Sequence, residues 1–154
     1  MLSALRVADA AEMVDVLSAE ELYAFIGGTA PTEAELRERY RAQVGSPSDP
    51  CEQWHNWIVR LAGGSAMGYV QATVCGEHAE VAWVIGQPWQ GFGYATEATR
   101  AMLAWLTADG DVREVTAYIH PDHAISQRVA SSAGLEPTGQ FADGEEIWRW
   151  PPRA

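Results

Sequence analysis

Cysteine, positive charge and long apolar runs are all scarce in this chain of 154 residues. The cysteines are two, Cys51 and Cys75, far apart and in no Cys-x-x-Cys arrangement. That excludes a disulfide framework, and two reduced thiols in a cytoplasmic protein are expected instead. Basic residues number 10 against 21 acidic ones, for a net charge of −11. Such a surface repels nucleic acid and anionic membranes, so neither is expected as a partner. It would attract a cationic acceptor such as an amine, although solubility alone accounts for most of these charges. No apolar run is long enough to cross a bilayer, and the opening MLSALRVADAAE lacks the continuous apolar core of a signal peptide.

Hydrophobic residues make up 47% of the chain, which is ordinary for a globular protein. The length suggests one domain over residues 1–154, able to bury roughly 70% of its unfolded surface. No repeat, low-complexity tract or linker divides it. The organising stretch runs from Glu80 to Leu106. Val81 to Ile85 are β-branched or aromatic for the most part, with Gly86 and Pro88 just beyond, and read as a buried strand. Gln90-Gly91-Phe92-Gly93-Tyr94-Ala95 follows, with two glycines where the backbone must turn sharply. Ala95, Ala98, Met102, Leu103 and Leu106 then recur at helical spacing. A helix leaving such a turn presents unpaired N–H groups and a partial positive charge, which together suit a phosphate.

Two familiar phosphate loops do not fit. No Gly-Lys-Ser/Thr closes the loop, and Thr96 stands where the dinucleotide pattern needs a third glycine. Gln90, Gly93 and Ala95 do fit the pattern Gln/Arg-x-x-Gly-x-Gly/Ala. This resembles the acetyl-CoA pyrophosphate loop of the GNAT superfamily of N-acetyltransferases, and WQGFGYATEA looks like its RimJ/RimL-type branch. The resemblance implies an α/β fold with a mixed, mostly antiparallel sheet splayed near the cofactor. It also implies acetyl-CoA as cosubstrate and a primary amine acceptor on a small molecule, a peptide or a protein N-terminus. A non-catalytic acyl-CoA sensor on the same fold is the alternative.

The rest of the chain reads in the matching order. Leu2 to Val7 suggests a short strand, and Asp9-x-x-Glu12 a capping box opening a helix over Ala10 to Ser18. Glu20 to Ile26 reads as a second helical stretch, and Pro31-Thr32-x-x-Glu35 starts another, ended by Gly45. In the resembled fold this region lines the acceptor pocket, which makes Tyr23, Phe25 and Tyr40 candidate contacts. Trp54 to Leu61 and Ala66 to Val74 are expected strands about the Gly63-Gly64-Ser65 turn. Glu114 to His120 is a further strand, and Pro121-Asp122 opens a helix on which Ile125, Val129 and Ala133 share a face. Leu135 to Gln140 and Glu145 to Trp150 suggest a hairpin about Asp143-Gly144. Seven tryptophans leave room for an exposed aromatic patch and a homodimer.

The segment IHPDHAISQRVASSAGL carries a second resemblance to the same branch. Ser126 and Gly134-Leu135 match its pattern, while His123 occupies the position of an Asn that hydrogen-bonds the pantetheine arm. By the resemblance, main-chain groups of Trp83, Val84 and Ile85 hold the pantetheine and thioester. Gln90, Gly91, Phe92, Gly93, Tyr94, Ala95 and Thr96 surround the pyrophosphate, with His123 and Ser126 on the far side. Many relatives protonate the leaving thiolate with a Tyr whose position here is Ala130. Ser126 is the expected substitute, unless it only bonds backbone at a helix start. For the base, Glu80, Glu97 and a water-mediated route stay open. His120 and His123 stand at i, i+3, but no partnered Cys or carboxylate cluster accompanies them, and no metal is expected.

Overall fold

The protein was analysed as a computed structural model, which describes residues 1–151. The strands are β1 (Leu2–Ala4), β2 (Glu52–Arg60), β3 (Ala66–Cys75), β4 (His78–Ile85), β5 (Glu114–Ile119), β6 (Glu136–Ala142) and β7 (Glu145–Trp150). The helices are α1 (Ala10–Val16), α2 (Glu33–Val44), α3 (Tyr94–Thr107) and α4 (Ala124–Ser132). The strands form a seven-stranded sheet in the order β1-β2-β3-β4-β5-β7-β6. Neighbours are antiparallel throughout except β4 and β5, which are parallel. This is the mixed, mostly antiparallel α/β sheet that the sequence implies.

Strand alternation sends side chains to two cores. On one face, α3 buries Ala98, Met102, Leu103 and Leu106 against Val59, Val81 and Val115. On the other, Met13 of α1 and Leu36 and Tyr40 of α2 pack on Ile58. Ile58 and Val59 are successive residues, so the pleat alone assigns them to opposite layers. Helix α2 starts where the sequence places it: Thr32 Oγ1 accepts from the Glu35 N–H, and Glu35 reaches back to the Thr32 N–H. The β6–β7 hairpin also forms, turning through Asp143 (φ 49°) and Gly144 (φ 81°).

Four expectations need correction. The Asp9 capping box does not form, because both carboxylates turn to Arg60. Arg60 Nη2 donates to Asp9 at 3.0 Å and Nη1 to Glu12 at 3.0 Å, while Glu12 also accepts from the Ala66 amide. That amide, and then Arg60, hold the Glu12 carboxyl below the usual carboxylate range. The second helical stretch shortens to a 3₁₀ turn over Glu20–Tyr23. Pro121 and Asp122 form a turn, and α4 begins only at Ala124, with Ile125 exposed in its first turn.

The fourth correction concerns the thiols. Cys51 and Cys75 are joined in a disulfide, with Cα atoms 5.2 Å apart. The cause is register. Glu52 of β2 stands opposite Cys75 of β3, so Cys51 arrives one residue beyond the pair at the open end of the hairpin. A sequence separation of 24 disguises two arms of nearly equal length.

Asp9 is 3% exposed and is compensated by Arg60 at 3.0 Å and by the exposed Arg6 at 3.2 Å. Arg60→Ala is expected to cost about 3 kcal/mol in urea unfolding, since it leaves the buried carboxylate with Arg6 alone and also removes the partner of Glu12. Arg37→Ala, which breaks only the exposed pair with Glu33, should cost about 1 kcal/mol or less.

Candidate active site

The site begins where two strands part. β4 and β5 pair over His78↔Glu114, Ala79↔Val115 and Glu80↔Thr116, and no further. From Val81 to Ile85, β4 keeps β3 on one side and has no strand on the other. Beyond Thr116, β5 is held instead by β7, through Ala117↔Trp148, Tyr118↔Ile147 and Ile119↔Glu146. A cavity of about 900 Å³ occupies the opening, lined by Val81 to Ile85 on one wall and by Ala117 to His120 on the other. The indole Nε1 of Trp83 is buried there without a hydrogen-bond partner.

The far end of β4 runs into the glycine loop. Gln90 Nε2 donates to the Ile85 carbonyl at 2.9 Å and ties the loop back to the strand. Gly91 (φ 86°) and Gly93 (φ 83°) adopt the left-handed conformation that side chains rarely accept. A Cβ at either would meet nothing within 4 Å, so the space in front of the loop is open. Helix α3 starts immediately after, and Gly93 at its N-cap gives its first N–H groups no side-chain partner. Gly91, Gly93, Tyr94, Ala95 and Thr96 all line the cavity. This is a concave anion cradle made of main chain, at the start of a 14-residue helix. Arg100 does not serve it: the guanidinium donates twice to the Ser132 carbonyl and clamps α3 to α4.

The opposite wall carries the titratable groups. His123 precedes α4, and its Nε2 lies 3.3 Å from Ser126 Oγ. Phe25, from the segment after α1, stacks on the His123 ring at 4.6 Å and 17°, and touches His120 at 5.1 Å. Burial, and secondarily the neighbouring His120, lower the His123 pKa from its ordinary value. Neutral His123 can thus accept the Ser126 hydroxyl proton. Ala130, at the position where a tyrosine was looked for, is fully buried in the core and leaves no room for a ring.

Most of the residues singled out from the sequence come together here: Trp83, Val84, Ile85, Gln90, the glycine loop, His123 and Ser126 share one cavity. Two stand apart. Glu80 belongs to the last paired position of β4, is exposed, and is not among the lining residues. Phe92 turns its ring to solvent at 71% exposure. Glu97 is also exposed outside the cavity. Sequence reasoning missed Tyr69 and Gln71 of β3, and the acids Glu21, Asp122 and Glu145, which also line it. The alternation of β3 is the signal that could have found the first two. No group of three or more His, Cys, Asp or Glu among the described residues is placed to hold a metal ion.

A glycine loop at the head of a helix, beside a strand whose edge is left open, defines a protein built to hold a phosphorylated, extended ligand. Residues 1–136 match the family described as the acetyltransferase (GNAT) domain, and the chain belongs to that family. The uncharacterized N-acetyltransferase YnaD of Bacillus subtilis is 32% identical over 78 residues. That match spans 47% of this chain and 46% of YnaD, about half the length of that relative. A GNAT-family acetyltransferase structure from Bacillus anthracis aligns with a TM-score of 0.80 at 18% identity, covering 96% of this chain and 90% of the other. The aminoglycoside acetyltransferase AAC(6')-Ib, solved with coenzyme A and kanamycin, aligns at 0.77 with 21% identity, covering 97% and 92%. Spermidine N-acetyltransferase from Vibrio cholerae, with CoA and spermine, aligns at 0.76 with 16% identity over the same fractions. At these identities the structures share the fold.

In an NMR titration the His123 ring should titrate below the ordinary histidine value of about 6.5. Phe25→Ala uncovers the ring and should move the midpoint upward; an unmoved midpoint would deny that the stack desolvates it.

Proposed function

We propose that this protein is an acetyl-CoA-dependent N-acetyltransferase of the RimJ/RimL-like type, acting on a primary amine of a small molecule, a peptide or a protein N-terminus. The observation that carries the reading is the continuity of the open β4 edge, the glycine loop and the uncapped α3 start along one wall of one cavity. Family membership and the coenzyme A complexes of two fold relatives support it. A cytoplasmic setting goes with the reading, because the acyl donor is a charged nucleotide that does not cross membranes. So does a single acetyltransferase domain over residues 1–154.

The residues present fit the cofactor. Main-chain groups of Trp83, Val84 and Ile85 would take the pantetheine as a further strand-like edge, and Trp83 Nε1 supplies an unpartnered donor nearby. N–H groups from Gly91 to Thr96 would take the diphosphate, helped by Arg128, which lines the cavity. His123 and Ser126 close the other side. When bound, acetyl-CoA supplies an activated acyl thioester; the protein's work is positioning and proton management.

The acceptor nitrogen adds to the acyl carbon, the C–N bond forms and the C–S bond breaks. Ser126 delivers its hydroxyl proton to the departing sulfur. The proton shed by the acceptor nitrogen returns through water to Ser126, so one proton in total passes from nitrogen to sulfur. His123 Nε2, 3.3 Å from Ser126 Oγ, holds the hydroxyl in place before the sulfur needs it. Glu80 lies outside the cavity, so the water-mediated route is the one assigned to the amine proton. The acids Glu21, Asp122 and Glu145 give the cavity a field that favours an incoming ammonium group, which releases one proton to bulk water to become the neutral attacking amine.

Ser126→Ala should lower kcat by about 10²-fold while calorimetry still shows acetyl-CoA binding near the wild-type affinity. An unchanged rate of CoA thiol release would remove Ser126 from the chemistry. Gly93→Val places a branched side chain at φ 83° and in the open space before the loop. It should abolish acetyl-CoA binding with the circular dichroism spectrum retained. Binding of acetyl-CoA without thiol release across a broad amine panel would favour the non-catalytic sensor instead.

A further inference from the structure

A second, smaller cavity of about 210 Å³ lies between α2 and the sheet. It is lined by Arg39, Tyr40 and Gln43 of α2, by Asn56 of β2, and by Tyr69 and Gln71 of β3. Tyr69 and Gln71 line the main cavity as well, so one pair of side chains forms the wall between the two. No carboxylate is among the residues lining the smaller cavity. Its polar groups are amides, phenols and one guanidinium.

The guanidinium is unusual in this chain. Every cation of the sequence is an arginine. Arg6, Arg37, Arg41, Arg60, Arg113 and Arg149 each lie within ion-pair distance of a carboxylate. Arg100 is engaged by the Ser132 carbonyl. Among the described residues, Arg39 and Arg128 are the arginines in none of these contacts, and each lines a cavity: Arg128 the main one, Arg39 the smaller. Arg39 also lacks the intrahelical partner that Glu33 gives Arg37 and Glu38 gives Arg41. An unengaged cation in a protein of net charge −11 is the scarcest electrostatic resource it has.

A second observation points the same way. Tyr40 is 4% exposed, and its hydroxyl has no hydrogen-bond partner. Burial pushes both the Tyr40 and Tyr69 phenols up, so each stays protonated and able to donate. A buried hydroxyl without a partner costs free energy that an added acceptor atom would recover. Guanidinium, phenol and carboxamide are together the groups that recognise a carboxylate.

We propose that the smaller cavity is an acceptor subsite for a carboxylate, so that the amine substrate is an amino acid or a short peptide. Its acid group is held by Arg39 beneath α2, and its amine passes the Tyr69–Gln71 wall into the acidic main cavity. This rests on the acetyltransferase reading and narrows it. The two cavities together present opposite charge preferences to the two ends of one zwitterionic molecule. Kanamycin and spermine, with which two of the fold relatives were solved, carry no carboxylate, which sets the expectation for this chain apart from theirs.

The test uses matched acceptors on the full chain: lysine against cadaverine, and a dipeptide against its C-terminal amide. Acetyl-CoA binding is first measured by calorimetry, and its absence overturns the parent reading. With acetyl-CoA bound, kcat/KM from CoA thiol release should be at least about tenfold higher for the carboxylate-bearing member of each pair. Calorimetric titration of the same amines into the CoA-loaded protein should show the same order. Arg39→Ala should erase that preference, chiefly through KM, and Arg39→Lys should restore part of it. Arg37→Ala, on the same helix, should leave it intact. Equal or better use of cadaverine and the amide, no preference in either assay, or a preference that survives Arg39→Ala overturns the proposal. So does activation of cadaverine turnover by free propionate, which would make the cavity a separate effector site.

Discussion

The parting of β4 from β5 is the constraint on which the rest depends. A parallel pair normally continues until one strand ends, because each main-chain N–H and C=O needs a partner. Here the pairing stops at Glu80↔Thr116, while β4 continues five residues further and β5 three. β5 can leave because β7 satisfies its other edge, and β4 can stay straight because β3 holds it from Cys75↔His78 to Gly68↔Ile85. The result is a row of main-chain groups facing a cavity instead of a neighbour. Recognition by such an edge is independent of side-chain identity, which suits a long, flexible ligand that itself resembles peptide. Side chains then matter mainly at the two ends, at the glycine loop and at the His123–Ser126 pair.

Holding that gap open requires the flanking layers to be rigid. The Gln90 side chain fastens the loop to the strand end, and Arg100 fastens α3 to α4 across the cavity's rim. On the far side, Arg60 joins β2 to the start of α1 and to the turn at Gly64. The Cys51–Cys75 bridge closes the opposite end of the β2–β3 hairpin. Arg60, Arg100 and the bridge lie outside the cavity, so most of its lining is left to groups whose hydrogen bonds are not all made within the protein.

What the sequence disclosed was local. The strand, loop and helix from Val81 to Leu106 are each written in a period or a glycine spacing, and so are the α2 capping box and the Asp143-Gly144 hairpin. What it concealed depends on register or on distance along the chain. Glu80 lies next to the key strand in sequence, yet only the point where β5 departs decides that it falls in the paired half. Cys51 and Cys75 are bridged because two arms of a hairpin have matching lengths. Asp9 and Glu12 have the spacing of a helix cap, but Asp9 turns to Arg6 and Arg60, and Glu12 to Arg60 and the Ala66 amide. Phe25 meets His123 from far along the sequence, and no spacing rule anticipates that contact.

His123 illustrates how a departure from a family pattern acquires physical sense in its surroundings. An asparagine at this position offers both a donor and an acceptor and stays neutral at every working pH. Histidine matches that only while it is uncharged. The Phe25 ring and the burial it brings disfavour the imidazolium, and His120 beside it adds to the penalty. The neutral ring then has one nitrogen to accept from Ser126 and another left to donate. Phe25 comes from the segment after α1, whereas His123 and Ser126 belong to the start of α4. A ligand that displaced Phe25 would therefore alter the hydration of His123 and, through it, the hold on the Ser126 hydroxyl. The aromatic stack thus joins two separate segments of the cavity wall in one contiguous set of contacts.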